Sequence, residues 1–216
     1  MKLLKPGERV KLELQGSGGD LIVYWLRAPS VYDRVEYRRA VAARGGRYHT
    51  VFELLAALRR EVDAAMAGTD RPETQASLIA LIDVRQARLR AFAERTWDRA
   101  NEEGQRAYIE AFAQAAAPDP VLLEVEAKIR AMGGLYAAMI ADNDVYFDLA
   151  GLEAARLFVV EWEGLDGFAH GRRGLTEAAL QRIPTVHLPA IAAKVEDLFA
   201  PAESERKNSV SPSPMP

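Results

Sequence analysis

The side chains best suited to metal or acid–base chemistry are the three histidines, His49, His170 and His187, and they are scattered along the chain. None stands in an HExxH arrangement, and none has a second histidine three to five residues on, the spacing that puts two ligands on one helix face. Asp142 and Asp144, with Glu153 eleven residues after the first, match three ligand positions of a calcium-binding EF-hand loop. The fifth position is Tyr146, however, and the sixth is Phe147 where the sharp turn needs glycine, so helix capping is the expected role. The glycines 16, 18 and 19 lack the order and the terminal Lys-Ser/Thr of a phosphate loop, and a second strand is expected after them instead of a helix. Glu161 and Glu163 fall on different sides of a helix, which separates them as a catalytic pair. With no cysteine in the chain, thiolate nucleophiles, disulfides and Cys-ligated metals are excluded. The residues nominate no catalytic, cofactor-binding or metal-ligating site, and the expectation is a protein that is not an enzyme.

The elements that would position any other kind of site follow from patterning. Val10 to Leu14 alternates apolar and polar residues, and Leu21 to Leu26 is a β-rich apolar run. The turn sequence from Gln15 to Asp20 between them predicts a β-hairpin with a loop longer than two residues. A lone hairpin is marginal, so it must pack on helices or join another sheet.

Ser30 with Asp33 predicts a capping box opening a helix to about Arg44, with Val31, Val35 and Val41 as apolar marks and four arginines on the solvated side. Thr50 with Glu53 predicts a second, followed by Phe52, Leu54, Leu55, Leu58 and Val62 at helical spacing. Helical patterns continue over 72–100 and 102–117. Asp119 and Pro120 read as N-cap and first helical residue of a helix over 121–132. Gly133-Gly134 is expected to kink the chain before 135–141, Asp142-Asn143-Asp144 to form a turn or cap, and 145–162 to form an apolar helix. A glycine-rich loop, short helices over 176–183 and 189–199, and a Pro/Ser-rich tail without periodicity complete the pattern.

The expected fold is therefore mainly α: an N-terminal hairpin over 1–29 packed on a helical, bundle-like domain over 30–199, with a disordered tail over 200–216. Net charge is −3, yet residues 1–60 hold twelve Lys and Arg against six Asp and Glu. That asymmetry can mark a nucleic-acid face, but Asp33, Glu36 and Glu53 dilute it, and a solvated Arg-rich helix is the preferred reading. No apolar run approaches the length needed to span a bilayer, and the first six residues lack the apolar segment of a signal peptide, so the expected location is the cytoplasm. Trp25, Trp97 and Trp162 read as core residues. Trp162, beside glycine at the end of an expected helix, also reads as a partner contact.

The order of the segments resembles a family. The hairpin runs into Arg27-Ala28-Pro29-Ser30 and an Arg/Glu helix. Near the end come Trp162-Glu163-Gly164-Leu165, Gly174-Leu175 with Ile183-Pro184, and Glu205-Arg206-Lys207-Asn208-Ser209. At both ends the chain is similar to the tail assembly chaperones of long-tailed bacteriophages and prophages. The resemblance implies a non-enzymatic role without cofactors, in the cytoplasm of a bacterial host. The partners it implies are the long, largely helical tape-measure protein, which the chaperone keeps soluble, and the tail-tube subunits that polymerise around it. It nominates Trp162, Gly164 and Leu165 with Arg206, Lys207 and Asn208 as partner-binding residues. The competing expectations are a minor structural or head–tail joining phage protein, and a nucleic-acid-binding regulator using the helix from Ser30 to Arg44.

Overall fold

The computed structural model describes residues 5–16, 18–97 and 102–199. Among them the chain is mainly α, with eight α-helices and an N-terminal antiparallel hairpin. It divides into two compact units, one drawn from Met1–Arg47 and Asp144–Pro216, the other from Tyr48–Asn143. The expected tail over 200–216 lies outside the described residues.

In the first unit the hairpin consists of β1 (Arg9–Gln15) and β2 (Leu21–Arg27), paired from Arg9 with Arg27 to Gln15 with Leu21. Its loop closes where the Gly16 N–H donates to the Asp20 carbonyl at 2.8 Å. Helix α1 (Val31–Ala43) starts at the expected capping box: Ser30 accepts from the Asp33 N–H, and Asp33 accepts from the Ser30 N–H at 2.7 Å. Such a cap contributes about 1 kcal/mol. The buried face of α1 is Tyr37 and Val41, whereas the expected core positions Val31 and Val35 are exposed. Tyr37 claims the inward face because its ring packs on Phe158 and Phe199 while its hydroxyl reaches the Ala150 carbonyl.

The second unit holds α2 (Val51–Met66), α3 (Pro72–Glu94), α4 (Glu102–Ala116), α5 (Pro120–Met132) and the start of α6 (Leu135–Phe158). Thr50 with Glu53 forms the second expected capping box, and Asp119 accepts from the Val121 N–H just before Pro120 at the first helical position. Leu55, Leu58, Val62, Ile82, Leu122 and Ile129 make its core. Burying each such side chain is worth roughly 1.5–3 kcal/mol.

Two expectations fail along α6. Asp142, Asn143 and Asp144 form neither a turn nor a cap; they lie within the helix. Asn143 spends its amide on the backbone of His49, and that long-range bonding removes the usual reason for Asn to break a helix. The helix also stops at Phe158, and β3 (Val159–Glu163) follows directly. β3 exists because β2 has a second edge to fill: Tyr24 pairs with Trp162 and Val23 with Glu163, giving the antiparallel order β1-β2-β3 with a bulge at Trp25/Leu26.

After β3, two-residue strands β4 (His170–Gly171) and β5 (Gly174–Leu175) make a small hairpin within the expected loop. Helix α7 (Glu177–Leu180), a 3-10 turn over Thr185–His187 and α8 (Leu188–Phe199) follow. The first unit's core joins Ile22, Tyr24 and Leu26 of the sheet to Ala154 and Phe158 of α6 and to Ile191 and Val195 of α8. Gly151 allows the close approach of α6 to the start of α8, since a Cβ there would lie 2.7 Å from that of Leu188.

Candidate interaction surface

The residues nominated near Gly164 are structural in their surroundings. Trp162 is only 6% exposed, meets Phe168 edge-on with ring centroids 5.0 Å apart, and has no acceptor for its indole N–H among the described residues. Gly164 has φ +82°, and a Cβ there would lie 2.8 Å from the Leu21 carbonyl oxygen, so it is held as glycine by the start of β2. Leu165 is half-buried and packs on the same core. Arg206, Lys207 and Asn208 lie outside the described residues, so only the first three come together, around the end of β3.

The polar groups of the first unit are largely paired with one another. Glu153, whose side chain is 1% exposed, sits between Arg44, at 2.7 Å, and Arg156, and Arg44 also reaches Glu177. Arg27 donates to the Leu157 carbonyl and to Asp33, and lies over the Phe158 ring. Its guanidinium and the Ser30 cap bring the Asp33 carboxyl down to about 2. His187 is buried, with Nδ1 2.8 Å from the Tyr24 hydroxyl and Nε2 3.0 Å from the Gln15 carbonyl. Its Nε2–H donates to the carbonyl, which leaves Nδ1 to accept from the tyrosine. Burial pushes the Tyr24 hydroxyl up, so that proton stays in place.

Of the arginines on α1, Arg34 lies over the Phe199 ring and Arg44 is committed to Glu153 and Glu177, which leaves Arg38 and Arg39 exposed. His49 pairs with Asp142, and His170 stacks on Phe168. The three histidines thus occupy separate places. Among the described residues no group of three His, Asp or Glu side chains is placed to hold a metal ion.

The second unit carries polar pairs of its own. Arg85 holds Glu126 at 2.6 Å, although burial still pushes the Glu126 carboxyl up, and Tyr136 beside it is pushed up to about 12. Glu61 accepts the Tyr136 N–H at 2.9 Å, satisfying one of the free amides at the start of α6.

This unit also bears an aromatic cluster with exposed apolar side chains, where the end of α3 packs on α4. Phe92 is the hub of four aromatic rings. Trp97, Tyr108 and Phe112 have centroids 5.0, 5.1 and 5.5 Å from it. Trp97 is tied down by its indole N–H, which donates to the Phe92 carbonyl at 3.1 Å, and the Arg95 guanidinium caps it 4.2 Å above the ring. On α4, Phe112 of this cluster is itself 47% exposed and Ile109 is 63% exposed. Val121 and Leu123 on α5 and Met132 at its end are exposed as well. Packed aromatic rings with the Arg95 guanidinium over Trp97 and an exposed Phe112 in the same cluster are the composition of a protein-binding hot spot. A shallow depression lined by Phe52, Gln86, Arg90, Ala93 and Glu94 lies along the same helix α3.

Phe92 and Trp97 also fit the spacing of a buried helical stripe, so spacing alone does not mark this surface.

No protein-family model, curated protein or solved structure matches this chain.

Proposed function

We propose that this protein is a non-enzymatic assembly chaperone that shields apolar helical segments of a partner, acting as a tail assembly chaperone toward a phage tape-measure protein. The observation that carries the reading is the aromatic cluster around Phe92 with Ile109 and Phe112 left exposed beside it. A tape-measure chain is long and helical, and before the tube forms around it its apolar stripes face water. An amphipathic helix can lay such a stripe along a groove between helices, reading it at i, i+3, i+4 and i+7. Phe92 and Trp97 give that contact a fixed floor at low ordering cost, and Ile109 and Phe112 give it unburied area. The order of segments at the two ends of the chain supplies the family part of the proposal, including tail-tube subunits as the second partner.

The test is co-expression with the tape-measure product encoded alongside, followed by affinity capture. The tape-measure protein is expected to become soluble and to co-purify, and the double variant Ile109→Ser with Phe112→Ser to lose both effects while staying folded. No gain in solubility together with no capture would remove the proposal.

A further inference from the structure

We propose that the free edge of β1 pairs with β1 of a second copy of this chain, making one continuous six-stranded sheet across a two-fold axis at Leu12. Within the described residues β1 is the outer strand of the order β1-β2-β3. The Gly16 N–H donates to Asp20 and the Glu8 carbonyl accepts from Ala28 N–H, so the even-numbered residues of β1 direct their backbone groups toward β2. Alternation along an antiparallel ladder then turns the N–H and carbonyl groups of Arg9, Lys11, Glu13 and Gln15 outward. The carbonyl of Gln15 accordingly receives its bond from His187, leaving Lys11 and Glu13 at the centre of the edge.

Side chains select the partner. An antiparallel copy can bond only in registers that oppose odd residues to odd residues. Centring the axis on Leu12 sets Lys11 against Glu13 of the copy and Glu13 against its Lys11. Moving the axis to Glu13 sets Glu13 against Glu13 with Lys11 opposite Gln15; moving it to Lys11 sets Lys11 against Lys11 and turns Glu13 to Arg9, which Glu161 of β3 already holds. The favoured register therefore gains two opposite-charge pairs and disfavours its nearest competitors. Both side chains are half-exposed and already adjacent, with Nζ and Oε1 2.5 Å apart.

The other face of the strand agrees. Val10, Leu12 and Leu14 are half-buried, whereas Ile22, Tyr24 and Leu26 on β2 are fully covered. In the paired sheet Leu12 meets Leu12 and Val10 meets Leu14, extending the apolar layer past the edge. Exposed edges without such a match are usually blunted by isolated charge. Here each charge has its opposite in the same strand, which makes the edge self-complementary.

Sedimentation velocity on the full chain tests this, with circular dichroism confirming that each variant is folded. The wild type is expected to dimerise at concentrations up to about 100 µM, the range in which a micromolar contact populates. Lys11→Glu alone and Glu13→Lys alone each oppose like charges, and each is expected to weaken the dimer about tenfold or more. An equimolar mixture of the two variants restores opposite charges and is expected to recover the dimer. Glu13→Pro removes the outward N–H together with the carboxylate that faces Lys11, leaves the bonds to β2 intact, and is expected to give a folded monomer. A wild type that stays monomeric, a dimer indifferent to Glu13→Pro, or a mixture no tighter than its parts would each overturn the proposal.

Discussion

Asn143 grips the backbone of His49 with both ends of its amide: Oδ1 accepts the His49 N–H at 2.6 Å, and Nδ2 donates to the His49 carbonyl at 2.9 Å. The bonds fix the residue just before the Thr50 cap of α2 against the middle of a distant helix. Asn143→Ala leaves a donor and an acceptor without partners in a largely buried place. We expect a loss of about 2–3 kcal/mol from the Tyr48–Asn143 unit, read by urea unfolding. Asn143→Asp, which keeps the acceptor and turns the other oxygen on the His49 carbonyl, should be no better than alanine.

Glu153 is the most deeply placed carboxylate of the first unit, held by Arg44 and Arg156. Glu153→Gln keeps the shape and removes the charge, leaving two guanidiniums facing each other. The expected cost is about 2–4 kcal/mol in chemical denaturation. A stability equal to wild type would mean that the two arginines find other acceptors.

Asp33 governs the acid side of the stability profile. Its folded carboxyl lies near 2, below its ordinary 3.8, because Arg27 and the Ser30 cap favour the charged form. The corresponding stabilisation is complete above about pH 4 and is lost as pH falls from there toward 2. With solvent screening it amounts to about 1–2 kcal/mol. Asp33→Asn should flatten that part of the curve of unfolding free energy against pH, and should lower the plateau by removing the ion pair with Arg27.

Gly174 has φ +105°, and a Cβ there would stand 2.0 Å from the Arg156 carbonyl oxygen. Backbone cannot retreat from backbone inside a packed unit. Gly174→Ala is expected to cost about 3 kcal/mol or more, against about 1–2 kcal/mol for Ala at Gly68, where φ is also positive but nothing lies near. Thermal melts of the two variants separate crowding from conformational strain.

Features written in adjacent residues were legible in the sequence. Ser30 with Asp33, Thr50 with Glu53, and Asp119 with Pro120 start helices because their chemistry is complete within four positions. Features that depend on distant partners were not. Residues 159–163 fit a helical stripe as well as a strand, and only the open edge of β2 decides between them. Val31 and Val35 looked like core until Tyr37 took the inward face of α1. The candidate surface was hidden for the same reason. Whether Phe112 is covered depends on how α4 lies against α3, which the spacing of one helix does not specify.

The direct passage from α6 into β3 leaves no slack between two periodicities. Phe158 and Val159 are consecutive and both fully buried, so the rotational phase in which the helix ends dictates which side chains of the strand face inward. A residue inserted at this junction could not be looped out. It would turn Trp162 toward water and Glu163 toward the core, inverting the strand's polarity in one step. The loop between Gln15 and Leu21 has no such phase to keep. Epitope tags and fluorescent insertions belong there, and the helix-to-strand seam is where the chain's length is fixed to the residue.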